Sequence, residues 1–129
     1  ENSTYIYTMK VNLVVVYDLD NVIVNDRYVP CKIVCDHIKH AHANGSVLFI
    51  ASHNLKASAV IAHIGMTRYF TEIVSGRQPK ADMLEYIMDR YKIHPDQITF
   101  IDDQIINIVP VAMLGINSVL FSCESIGLT

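Results

Sequence analysis

The sequence predicts an α/β protein, a doubly wound three-layer domain around a mainly parallel five-stranded sheet. Three observations carry this. Short runs rich in Val and Ile alternate with stretches of helical period along the chain. The first two runs are apolar at nearly every position, as strands covered on both faces are. Several runs then end abruptly in acids or small polar residues, which suits a sheet with a ligand crevice along one edge.

Taken in order, Leu13–Leu19 and Ser46–Ala51 are the long buried strands, and Glu72–Ser75, Ile98–Asp102 and Ser118–Ser122 are shorter ones. Pro30 fits the first turn of a helix whose apolar stripe is Ile33, Val34, Ile38 and Ala41, with Gly45 near its end. Asn54 is a candidate N-cap for a helix carrying Val60, Ile61 and Ile64, closed by Gly65. Ala81, Leu84, Ile87, Met88 and Tyr91 mark a third helix. A fourth, after Asp103, carries Ile105, Ile106, Val109, Ala112 and Leu114, and Pro110 should kink it or divide it. Strands alternating with helices mean βαβ units and hence parallel pairing.

The 129 residues, 51% hydrophobic and 18% charged, suit one folded domain, with residues 1–10 a possible extension. A net charge of −3 and the lack of a basic run argue against general nucleic-acid binding, and no apolar run is long enough to span a bilayer. Three cysteines, Cys31, Cys35 and Cys123, are too few and too odd for a disulfide framework. They read as small core residues in a reducing compartment, and hence as a cytoplasmic protein. Cys31 and Cys35, four apart, should share a helix face. His37, His40 and His42 read as a solvated helix end.

The strand ends carry the chemistry. Asp18 and Asp20 follow the first strand; Ser52, His53 and Asn54 follow the second; Asp102 and Asp103 close the fourth. Four carboxylates in one crevice repel, and a bound cation or raised pKa values must relieve them. Hard carboxylate oxygens suit Mg²⁺.

In order, the polar set is Asp18-x-Asp20, Ser52, Lys80 and Asp102-Asp103, each at a strand end or helix start. "VVVYDLDNVIV", "VLFIASHN", "RQPKADMLEYI" and "ITFIDDQIINIVPVAMLGINSVLF" resemble, in sequence, the four motifs of the haloacid dehalogenase superfamily, from about Leu13 to Phe121. The resemblance implies a Rossmann-like core and phosphoryl transfer. Asp18 would be the nucleophile and Asp20 the general acid and base. Ser52 would donate to a phosphoryl oxygen, and Lys80 would balance the nucleophile's charge, with Arg77 as understudy or substrate contact. Mg²⁺ would be held by Asp18, the carbonyl of Asp20 and Asp102, with Asp103 as a further ligand or just outside it, a plain helix cap being the lesser alternative for Asp103. Asp18 and Asp20 can face one site only if the chain leaves extended geometry directly after Asp18. Within the resemblance, an aspartate at position 20 favours phosphatase or phosphomutase action over dehalogenation or ion pumping, and a mutase would need a cap, so phosphatase leads.

The gaps are short. About thirty residues separate Asp20 from Ser52, and from Ser52 to Lys80 there is room for one helix and one strand. A cap domain does not fit, so the expectation is a capless phosphatase resembling the magnesium-dependent phosphatases. Its open crevice would admit a small or macromolecular phosphomonoester, and a second subunit could complete it as a homo-oligomer. The segment Asn21–Pro30 is the candidate flap or plain hairpin, with Arg27 and Tyr28 as substrate contacts; His53 and Asn54 are further substrate-binding candidates. Two other classes stand beside this one. A non-catalytic binding module could keep the fold, and a receiver-like phosphoacceptor domain would share the acidic crevice, though it would place its lysine after its last strand.

Overall fold

The computed structural model describes residues 13–123. Five strands, β1 (Val14–Tyr17), β2 (Val47–Ser52), β3 (Glu72–Ser75), β4 (Ile98–Asp102) and β5 (Asn117–Leu120), form one sheet in the order β3-β2-β1-β4-β5. Every pairing is parallel. Four α-helices connect them: α1 (Lys32–Ala43), α2 (Ala57–His63), α3 (Lys80–Tyr91) and α4 (Ile105–Ala112). The chain runs outward from β1 to β3, then returns across β1 to β4. The switch point therefore falls between β1 and β4, where such sheets open a crevice at the strands' carboxyl ends.

Strand alternation sorts the core into two layers. Tyr17, Leu48 and Ile50 point to one face, where α1 brings Val34 and Ile38 and α2 brings Val60 and Ile61. Val14, Val16, Phe49 and Phe100 point to the other, against Met83, Leu84 and Ile87 of α3 and Val111 of α4. Fully burying one such side chain contributes about 1.5–3 kcal/mol, so both layers are needed to hold the central strands. The connections between the motifs contain no inserted cap domain, as their lengths predict.

Several sequence expectations are corrected. Helix α1 starts at Lys32, with Cys31 at its N-cap, so Pro30 lies ahead of the helix. Asn54 does not cap α2; that position is Lys56, and the Asn54 side chain instead accepts from the Lys56 N–H and reaches toward Asp20. Helix α4 is one short piece containing Pro110, and its apolar stripe is rotated from the expected one. Ile105, Ile106 and Val109 are exposed while Val111 is buried. The cause is Asp102, whose carboxylate accepts from the Gln104 N–H at 2.9 Å and from the Asn107 amide at 3.3 Å. That contact turns the Asn107–Val111 face inward.

The cysteine expectation fails for one pair: Cys31 and Cys123, 92 residues apart in sequence with Cα atoms 6.1 Å apart, are joined in a disulfide. Cys35 is the free, buried one. His37 donates to or accepts from the Tyr17 hydroxyl at 2.8 Å, and His40 and His42 lie exposed near the end of α1. Among the described residues no helix is long and apolar enough to cross a membrane.

Candidate active site

The site begins where β1 stops. The Asp18 N–H still donates to the Ile101 carbonyl of β4, which extends the ladder by one residue. The chain then bends at Leu19, whose carbonyl accepts from Val22, Ile23 and Val24. Asn21 follows with φ +63°, a left-handed conformation that asparagine tolerates better than most residues. This is the departure from extended geometry that the Asp-x-Asp pair requires, and it lets Asp18 and Asp20 line one cavity.

That cavity has a volume of about 120 Å³. Its charged wall consists of Asp18, Asp20, Asp103 and Lys80. The rest of its wall consists of Asn21, His53, Gln104 and Asn107. Lys80, the first residue of α3, is buried and sits between two carboxylates, with Nζ 2.6 Å from Asp102 Oδ2 and 3.0 Å from Asp18 Oδ1. A cation at a helix N-terminus opposes the helix dipole, so these two acids are what hold it there. Asp102 is fully buried behind the wall.

Burial pushes the Asp18 carboxyl up to about 7. Lys80 opposes the rise, and the nearby Asp102 adds to it. The Asp20 carboxyl is also raised, first by burial, while a hydrogen bond from the Asn54 amide at 3.4 Å works the other way. Asp18, Asp102 and Asp103 each offer a carboxylate oxygen within 4.8 Å of the others. These carboxylates outnumber the single ammonium between them, and three hard oxygens at that spacing fit a divalent cation such as Mg²⁺. The Asp20 side chain lies outside that cluster.

The remaining sequence candidates are placed differently. Ser52 is fully buried at the end of β2, outside the cavity wall, and its Oγ accepts from the Asn54 N–H at 3.0 Å. His53 is on the wall, with Nε2 2.9 Å from the Gln78 carbonyl. Asn54 donates to the Tyr28 hydroxyl at 3.0 Å and so links the Asn21–Pro30 segment to Asp20. The first half of that segment is packed, with Val22, Ile23 and Val24 fully buried, while residues 26–30 are exposed. Arg27 and Arg77 are exposed and outside the wall. Asn21, Gln104 and Asn107 were not singled out by the sequence reading. The available signal was weak: a residue suited to left-handed backbone directly after Asp20, and two amides three apart just past Asp103.

The model of the haloacid dehalogenase-like hydrolases matches residues 7–112, and the chain belongs to that family. Solved structures share the fold at low sequence identity. The core domain of a protein assigned as a phosphoglycolate phosphatase, from Streptococcus pneumoniae TIGR4, is 23% identical with a TM-score of 0.67, over 84% of this chain and 79% of that one. The N-terminal part of a Bacteroides fragilis protein containing a phosphatase domain, complexed with Mg, is 16% identical with a TM-score of 0.73, over 89% of this chain and 37% of that one. A family enzyme from Bacteroides thetaiotaomicron, an aspartate-to-alanine variant in complex with magnesium and inorganic phosphate, is 13% identical with a TM-score of 0.62, over 86% and 94%. A search of curated proteins found no match.

Proposed function

We propose that this chain is a Mg²⁺-dependent phosphatase that hydrolyses a phosphomonoester through an aspartyl-phosphate on Asp18. The observation that carries the reading is the shared cavity: Asp18 and Asp20 line it together, with Lys80 paired to the first and Asp103 on the same wall. The Asp18 carboxylate attacks phosphorus, the ester P–O bond breaks, and the leaving oxygen takes a proton from Asp20. Asp20, now a carboxylate, removes a proton from water, which attacks the acyl phosphate and restores Asp18. Asp18, Asp102 and Asp103 would hold Mg²⁺, which when bound supplies the positive charge that neutralises the phosphoryl oxygens and favours ionised Asp18. Lys80 holds Asp18 in place and screens its charge. Ser52 Oγ accepts from the Asn54 N–H, and its hydroxyl would donate to a phosphoryl oxygen. His53 is the substrate contact best supported by its position.

The substrate is a phosphorylated small molecule or macromolecule, and a second subunit over the open cavity remains compatible with it. Two proteins of similar fold support the reading, one complexed with Mg and the other with magnesium and inorganic phosphate. A cytoplasmic location, expected from the cysteine count, loses that support with the Cys31–Cys123 bond and is not part of the proposal. The test is phosphate release in the presence of Mg²⁺ from sugar phosphates, nucleotides, phosphopeptides and phosphorylated oligonucleotide ends, with Asp18→Asn as control. Release by the wild type alone is the expected result. No release from any of them, or equal release by Asp18→Asn, would replace the enzyme with a binding module that has kept the fold.

A further inference from the structure

We infer that the outer face of α4 is a homodimer interface, on which a second copy of this chain packs its own α4 antiparallel across a two-fold axis near Val109. Helix α4 has one polar residue, Asn107, and its amide is turned inward to Asp102. A helix that is apolar on all sides is normally covered on all sides. Here one side alone is covered. Val111 faces the core, while Ile105, Ile106, Val109 and Met113 are 63%, 73%, 52% and 82% exposed. At 3.6 residues per turn these four fall within about 100° of arc, opposite Val111. Leu120, 55% exposed, is in register with Asp102 and so lies on the same side of the sheet as α4.

Area and charge identify the occupant. The five side chains expose on the order of 600 Å² of apolar surface, where the largest such patch on a monomer is ~300–600 Å² and each partner in a stable complex contributes ~800 Å². No Asp, Glu, Lys, Arg or His stands between Asp103 and Glu124. Two chains of net charge −3 repel one another, and this face lets them meet without opposing or desolvating a charge. A two-fold contact uses one patch twice and must be self-complementary, as an uncharged apolar helix face is. Val109 is midway between Ile105 and Met113, so the axis falls there, and antiparallel packing opposes the two helix dipoles. It also sets the end of one helix beside the first turn of the other, next to Gln104 on the cavity wall. A lipid surface fits less well, because helices that lie in membranes carry Lys or Arg on their polar face, and this run has neither.

Sedimentation equilibrium over a roughly hundredfold range of concentration should show the wild type passing from monomer to dimer. Val109→Glu and Val109→Lys each set like charges across the axis, and each should weaken the dimer by about hundredfold or more. Mixing the two variants should restore association as a mixed dimer. Val109 is exposed in the monomer, so both variants should keep the wild-type circular dichroism spectrum. Met113→Lys, at the far end of the face, should also weaken association. A wild type that stays monomeric throughout, a dimer that survives Val109→Glu and Met113→Lys, or a mixture no more associated than its parts would overturn the inference. So would a wild-type monomer that instead sediments with neutral phosphatidylcholine vesicles. All of these outcomes leave the chemistry proposed for Asp18 standing.

Discussion

Replacing Lys80 with methionine tests how the site is held together. The substitution keeps an unbranched apolar stem beside Phe100, whose ring lies 5.7 Å from the ammonium, and deletes only the charge. Two buried carboxylates then face each other with no cation between them, because Lys80 Nζ is the group within 3.0 Å of both Asp18 and Asp102. Removing one partner of a buried ionic network costs about 3–5 kcal/mol, a large share of a total stability of about 5–15 kcal/mol. Asp18 offers a partial escape, since its carboxyl already titrates at about 7 and Lys80 is the main influence holding it down. Without Lys80 it stays protonated at neutral pH, which leaves an expected loss of about 3 kcal/mol. Urea denaturation without divalent cations measures it, at neutral pH and at about pH 5. Keeping Asp18 protonated costs less at the lower pH, so the loss should shrink there. A loss below about 1 kcal/mol at neutral pH, or equal losses at both, would refute the reasoning.

The raised Asp18 pKa also sets a pH dependence for the metal-free wild type. A carboxyl lifted from 3.8 to about 7 in the folded state favours folding below the lower value, and that contribution is lost as pH rises through the higher one. The loss is about 4 kcal/mol at most; thermal melts of Asp18→Asn should show a flatter decline over this window, and parallel curves would contradict it. Ile38→Ala, at a fully buried position of α1, should cost about 2–5 kcal/mol in urea denaturation with no change in the pH slope. A cost below about 0.5 kcal/mol would mean that the α1 layer is not packed as described.

Much of the fold was legible because parallel strands advertise themselves. Val14–Tyr17 and Val47–Ser52 are apolar at nearly every position since both faces are covered. The acids at the ends of β1 and β4 were legible for the opposite reason, as charges at the exits of buried strands. What stayed hidden depended on contacts between segments. Helix α4 has apolar residues on more than one side, and only the grip of Asp102 on Gln104 and Asn107 decides which of them turns inward. Asn54 has the residue type of a helix cap, but its amide is drawn away to Tyr28 and Asp20. The pairing of Cys31 with Cys123 joins the start of α1 to the chain beyond β5, a closure across 92 residues that spacing does not reveal. The burial of Ser52 and the hydrogen bond it accepts from the Asn54 N–H follow from a turn that the sequence does not announce.

The central claim is that Asp18 is the group that attacks phosphorus. Rapid acid quenching of the enzyme with a phosphate-labelled ester and Mg²⁺, followed by peptide mapping, tests it most directly. The account predicts a transient, base-labile label on the peptide that contains Asp18, absent from Asp18→Asn and absent without Mg²⁺. Steady release of phosphate with no label on the protein, or with the label on any other residue, would contradict it.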